Sequence, residues 1–164
     1  MARTLEKRLL ELEDREAIRQ AICGYGYAVD GCNADAVGSF YTVDGVYDVP
    51  DSNAWHGRDA IAAITASDTH LSLVNAGCAH VSTPPYIVID GDRAVATCHT
   101  MVPLRREGEY IILRLSASRI ELARQTDGGW LITRRTNFLQ DGSGKGPALL
   151  ARLNEGPSEG MTDG

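Results

Sequence analysis

Asp30 and His80 are the residues whose types and placement could carry chemistry. Asp30 closes a helical stretch reading Tyr25-Gly26-Tyr27-Ala28-Val29-Asp30-Gly31. His80 stands in Gly77-Cys78-Ala79-His80-Val81-Ser82-Thr83, ahead of a strand reading Pro85-Tyr86-Ile87-Val88-Ile89-Asp90. A carboxylate at a helix end and a histidine entering a sheet can meet in one small cavity. There the imidazole, oriented by the carboxylate, is a general base with a pKa near operating pH. The helix macrodipole leaves partial negative charge at its C-terminus, so Asp30 wants a compensating cation or proton, such as a protonated His80. The carboxylate would raise the pKa of His80 and burial would lower it.

Other side chains could serve the same cavity. Tyr25 precedes Asp30 by five residues, about 140° around an ideal helix. It can flank a substrate but should not bond Asp30 in a straight helix, whereas Tyr27 lies closer to Asp30 in angle and stays open as its partner. Tyr47 is a second candidate phenol donor, and His99 lies one strand beyond His80. A two-residue loop at Asp90-Gly91 would put His80 and His99 on one face, and a three-residue loop on opposite faces. A bulge at Pro84-Pro85 would reverse either answer. A metal would need three ligands among Asp30, His56, His70, His80 and His99, yet no His-x-His or His-x-x-x-His pair occurs. No glycine-rich nucleotide loop is present. Proton transfer with no metal and no cofactor is therefore expected. Arg105-Arg106 and Arg134-Arg135 read as solvated rims or interface contacts.

The elements that must position these residues fall in two groups. Leu5, Leu9, Leu12, Ile18, Ile22, Tyr25 and Val29 recur at helical spacing. That stripe predicts a long amphipathic helix, with a possible break where Asp14 could cap a second segment, and with Gly31 as a left-handed stop. A short helix is expected over 34–40, a strand over 46–49, a loop over 50–55 and a third helix over 58–66. Strands are expected over 81–89, 93–104, 110–122 and 130–139. Asp90-Gly91-Asp92, Arg106-Glu107-Gly108 and Asp127-Gly128-Gly129 supply the turns between them. Helices followed by an antiparallel meander mean an α+β domain over residues 1–140. Residues 141–164 read as a tail with a weak helix over 148–153, poorly ordered past about Gly156.

Bulk properties exclude several functions. One domain is the expectation at 164 residues. A net charge of −6 argues against a nucleic-acid partner and an anionic membrane surface. No apolar run approaches the ~20 residues of a spanning helix, and the first residues lack the apolar core of a signal peptide. Cys23, Cys32, Cys78 and Cys98 form no Cys-x-x-Cys and match no zinc module, so reduced thiols in a cytoplasmic protein are expected.

The order of elements and motifs resembles the SnoaL-like polyketide cyclases and nuclear transport factor 2. The carriers are Asp14-Arg15-Glu16-Ala17-Ile18, Val29-Asp30-Gly31, Trp55-His56-Gly57-Arg58-Asp59-Ala60-Ile61, His80, Ile89-Asp90-Gly91-Asp92 and Asp127-Gly128-Gly129-Trp130. The resemblance spans roughly residues 8–140. It implies a cone-shaped fold, N-terminal helices packed in a strongly curved antiparallel sheet, with a deep apolar pocket. The pairing of Asp30 with His80 looks like the dehydratase branch, which includes scytalone dehydratase, bile-acid 7α-dehydratase and hexachlorocyclohexane dehydrochlorinase. Tyr25 matches a tyrosine of the bile-acid enzyme. Scytalone dehydratase differs in carrying Tyr where this chain has Val29, and in placing a second catalytic histidine where this chain has Leu104. The branch implies cofactor-free elimination from a hydrophobic cyclic substrate, a steroid or polyketide, with Asp30, His80 and Tyr25 catalytic. Tyr47, Trp55, His99 and Met101 are expected around the substrate. An isomerase, a cyclase and a non-catalytic binding module are the alternatives. A homo-oligomer is expected, a trimer before a dimer, with one face of the strand around Ile111, Leu113 and Leu115 covered by another subunit.

Overall fold

The long leucine and isoleucine stripe forms one helix, α1 (Leu5–Asp30), capped where the Thr4 hydroxyl accepts from the Lys7 amide at 3.3 Å. The structure, a computed structural model, describes residues 4–50 and 52–157. The helix does not break at Asp14. That carboxylate faces the sheet, where Arg124 donates to both its oxygens at 2.6 and 2.7 Å and the Trp130 indole donates at 3.0 Å. Nor is Gly31 the left-handed stop, for its φ is −79°. Cys32 takes the positive φ of 50° instead. The Cys32 amide donates to Val29 O and the Asn33 amide to Ala28 O, at 3.0 and 2.9 Å, the paired bonds that close a Schellman end. Asn33 then caps α2 (Ala34–Ser39) through its side chain. The turn out of α1 is thus fully bonded, and Asp30 sits on a fixed platform.

The chain continues through β1 (Tyr41–Val49), β2 (Asn53–His56), α3 (Arg58–Ala62), a 3₁₀ turn (Ala63–Ala66) and α4 (Asp68–Ala76). The segment expected as a loop is half strand, because β2 folds back on β1 with Tyr47 opposite Trp55. The helix expected over 58–66 tightens into the 3₁₀ turn after Ala62. α4 was not anticipated. Ser67 caps its start, and Gly77 ends it at a φ of 89°, a left-handed position that suits glycine.

The remaining elements are β3 (Val81–Ser82), β4 (Tyr86–Asp90), β5 (Arg93–Arg106), β6 (Glu109–Arg124), β7 (Trp130–Leu139) and α5 (Lys145–Ala151). β3 and β4 replace the single strand expected over 81–89. Pro84 and Pro85 lack the N–H a ladder needs, so the strand divides at them. The sheet order is β2-β1-β7-β6-β5-β3, with β4 also on β5. It is mixed rather than antiparallel: β1 runs parallel to β7, having entered the sheet before the helical crossover, while the other pairs are antiparallel. Bulges interrupt the β5–β6 and β6–β7 ladders, and such bulges curve a sheet. The helices pack against that curved sheet in an α+β fold, over a core of Ile18, Ile22, Val37, Tyr41, Ile61, Ile120, Leu122 and Ile132. α5 begins three residues earlier than the helix expected over 148–153. The disorder expected past Gly156 concerns chiefly residues 158–164, which lie outside the described residues.

At the other end of the sheet, β6 leaves Tyr110, Ile111, Ile112, Leu113 and Leu115 exposed. Among the described residues no helix is long and apolar enough to cross a membrane.

Candidate active site

α1 and β3 cross so closely that Gly26 is the only kind of residue that fits there. A Cβ at position 26 would collide with the His80 carbonyl oxygen. This approach brings the backbone before β3 onto the last turn of α1. The His80 amide donates to Asp30 Oδ1 and Oδ2 at 3.1 and 2.9 Å, and the ring Nδ1 lies 2.7 Å from Oδ1. Asp30 can only accept as a carboxylate, so the neutral His80 ring carries its proton on Nδ1. That leaves Nε2 as an unprotonated base with no hydrogen-bond partner among the described residues. Burial lowers the pKa of His80, and the hydrogen bond and charge of Asp30 oppose the shift without reversing it. The shift favours the neutral imidazole, the form that can accept a proton.

His70 holds this arrangement from behind. It is a buried residue of α4, with Nε2 2.9 Å from Val29 O, one of the carbonyls at the end of α1. Its ring stands 5.7 Å from that of His80, centroid to centroid. No spacing or motif connects α4 with the end of α1, so this contact is visible only in the fold.

His80 opens onto a cavity of about 30 Å³, room for one or two water molecules. Tyr25, Tyr47, Met101, Arg135 and Asn137 line it with His80. The deep apolar pocket implied by the resemblance is replaced here by a small cavity with a polar wall. The cause is Arg135, expected on a solvated rim or at an interface and found 4% exposed. Along β7, Trp130 and Ile132 face the core. Strict alternation would then send Arg134 inward. Thr133 is an extra residue in the ladder, since Leu122 pairs with Ile132 and Glu121 with Arg134. This bulge resets the alternation, so Arg135 and Asn137 turn inward and Arg134 outward. Nothing in the sequence marks the bulge.

Arg135 is a buried cation without an anion. Its guanidinium carbon lies 4.5 Å over the Tyr25 ring and 5.5 Å over that of Tyr47. Nε reaches Asn137 Oδ1 at 3.5 Å, and Nη1 has no hydrogen-bond partner. It forms no ion pair among the described residues. Cation–π contacts return roughly 0.5–2 kcal/mol each, whereas desolvating a guanidinium costs several. An anion arriving in the cavity, or forming there, would therefore be strongly favoured. Asn137 donates to the Tyr47 hydroxyl at 3.1 Å, which leaves the phenol hydrogen of Tyr47 free to donate. Burial pushes the Tyr25 phenol well up, so it remains a donor.

The other expected residues stand apart. Trp55 does not line the cavity; it stacks on Tyr47 at 5.3 Å and backs that ring. His99 does not line it either. The β5 register runs through Asp90 opposite Arg93 but continues past Pro84-Pro85 with Val81 opposite Met101. The sum of paired numbers changes from odd to even, which puts His80 across from Val102, three residues from His99. Side chains three apart on a strand point to opposite faces. Tyr27 is 80% exposed and cannot partner Asp30. All four cysteines are free thiols.

Residues 10–136 match the SnoaL-like domain. No curated protein matches the sequence. Among solved structures, an NTF2-like protein with a cystatin-like fold from Novosphingobium aromaticivorans is 40% identical, with a TM-score of 0.86, over 89% of this chain and 94% of that one. A protein of unknown function from Mycobacterium tuberculosis is 20% identical, with a TM-score of 0.72, over 92% and 90%. The hexachlorocyclohexane dehydrochlorinase LinA-type3 from Novosphingobium barchaimii is 15% identical, with a TM-score of 0.69, over 81% and 90%.

Proposed function

The chain belongs to the SnoaL-like family, and on that premise we propose that it is a cofactor-free lyase. It acts as a dehydratase on a hydrophobic cyclic substrate such as a steroid or polyketide. His80 Nε2 takes a proton from the carbon next to a carbonyl, and the C–H electron pair moves to the carbonyl oxygen as an enolate. Asp30 accepts from Nδ1 and stabilises the imidazolium that results. Arg135, with the Tyr25 and Tyr47 hydroxyls, holds the enolate oxygen. Collapse of the enolate expels the β-hydroxyl, which leaves as water with the proton His80 returns. Val81, Met101 and Val102 must move outward to admit a ring, because the closed cavity holds only water.

The 2.7 Å contact of His80 with Asp30, beside an unpaired buried guanidinium, carries this reading. A dehydrochlorinase among the structures of the same fold supports elimination. Hydroxylated steroids and polyketides incubated with the protein, in the presence of chelator, should lose water as followed by mass spectrometry. Turnover to an isomer of unchanged mass would assign the same base to an isomerase or cyclase. Saturable binding with no turnover across such a panel would favour a non-catalytic module.

Homo-oligomerisation belongs to the same proposal, a trimer before a dimer. The apolar side chains of β6 need cover that the described residues do not provide. A monomer by light scattering at micromolar concentration would contradict it. The free thiols suit a cytoplasmic setting.

A further inference from the structure

The elimination uses Asp30 and His80 but leaves a third donor beside them idle. A carboxylate oxygen of Asp30, a ring nitrogen of His80 and the thiol sulfur of Cys78 all lie within 4.8 Å of one another. Cys78 is not on a loose loop. It bridges to Leu104, while the Arg105 amide donates to Gly77 O at 2.8 Å and the Ala79 amide to Pro103 O at 3.2 Å. The backbone on both sides of the thiol is therefore fixed to β5. The end of α1 adds partial negative charge, and its last turn contains no basic residue to neutralise it.

We propose that Asp30, Cys78 and His80 form a binding site for a soft divalent cation of the zinc type, and that its occupancy switches off the dyad. Oxygen, nitrogen and thiolate ligands suit zinc, with bonds of about 2.0–2.3 Å that set tetrahedral donor separations near 3.3–3.8 Å. Closing the trio by about 1 Å, with the 2.7 Å hydrogen bond opening to make room, meets that requirement. Water takes the fourth position. The metal replaces the proton on His80 Nδ1, which moves to Nε2. The Cys78 thiol, which burial keeps protonated in the free protein, releases its proton to solvent. One proton is lost for each ion bound. His80 Nε2 then carries N–H and can no longer accept a proton from carbon. The site needs no metal for elimination; the ion acts only as an inhibitor. The switching half of the proposal rests on the dyad being the base, and the binding half does not.

Cobalt(II) titrated into the metal-free full-length protein separates the two halves. One equivalent should produce a near-ultraviolet thiolate-to-cobalt absorption band, removed by added zinc. Cys78→Ser and Cys78→Ala should abolish the band and weaken binding at least tenfold, with circular dichroism confirming the fold of each. Cys32→Ser should keep the band. No band in the wild type, or an undiminished band in both Cys78 variants, would overturn the site. On a verified substrate, zinc should inhibit the wild type and have at least tenfold less potency against the Cys78 variants. A cobalt band together with zinc-insensitive turnover would leave the metal site standing and overturn the switch, and with it the role of His80 as base.

Discussion

α1 presents two carboxylates to the sheet, and they are matched in opposite ways. Asp14 and Asp30 lie 16 positions apart, about 24 Å along the helix. Asp14 meets Arg124, whose two guanidinium nitrogens grip both its oxygens, and the Trp130 indole. Arg124 also lies 4.5 Å over the Trp130 ring and binds Asp92. Every charge in that cluster is paired. The hydrogen bond from Arg124 holds the Asp14 carboxyl below its ordinary value of 3.8. Asp30 instead meets a group that can gain and lose a proton, and the nearest buried cation, Arg135, is left unpaired across the cavity. One helix thus carries a clamp at one end and, at the other, the pair proposed here to transfer a proton. Both are good hydrogen-bond geometry; what separates them is whether the partner titrates near neutrality and whether a cation is left waiting.

The sharpest way to break the comparison is to remove one partner at each end. His80→Ala should cut turnover about 10²–10⁴-fold, the usual cost of a lost general base, with little change in melting temperature. Asp14→Asn should do the reverse. It should cost about 1–3 kcal/mol of stability in denaturant titration, because Arg124 loses a charged partner, and leave the rate of the folded protein unchanged. Equal effects on rate at the two ends would erase the distinction. Next in size is Arg135→Met, which removes the cation but keeps the bulk. Turnover should fall about 10²–10³-fold, as when one oxyanion donor is lost. Stability should hold or rise, since an unpaired buried charge has gone. A large loss of stability would mean that Arg135 holds the core together rather than a developing anion. Gly26→Ala should come third. The methyl must push His80 away from α1, so turnover should drop at least tenfold while Asp30 stays in place. A crystal structure of that variant with the 2.7 Å contact intact would refute the tight crossing.

How much of this was legible beforehand follows the same division. Asp30 and His80 could be picked out because a carboxylate at the negative end of a helix asks for a partner. The two-layer α+β fold followed from helical spacing giving way to strands. The errors lie where a single residue resets a register. The bulge at Thr133 sent Arg135 inward, and the prolines between β3 and β4 shifted the register so that His80 and His99 point to opposite faces. Each shift flips the side chains beyond it; the prolines mark theirs in the sequence, whereas nothing marks the bulge at Thr133. Asp14 was read as a helix cap because its partners lie more than a hundred residues downstream. The parallel pairing of β1 with β7 is likewise a long-range fact. α4 was within reach, since Ser67 and Gly77 are ordinary start and stop signals for it.

Acid titration extends the contrast. The depressed pKa of Asp14 contributes stability that is present above 3.8 and lost as pH falls through its folded value. The lowered pKa of His80 acts on rate. Turnover should rise with pH and level off once His80 is neutral, with a midpoint below 6.5. The most direct test of the central claim needs no substrate. Nitrogen-15 NMR of the imidazole rings, followed from pH 8 to pH 5, reports which nitrogen of His80 holds the proton. A neutral ring with its proton on Nδ1 at pH 7, titrating below 6.5 and losing that tautomer preference in Asp30→Asn, is the predicted result. A ring already protonated at pH 7, or a neutral ring with its proton on Nε2, would contradict the assignment of His80 as the base.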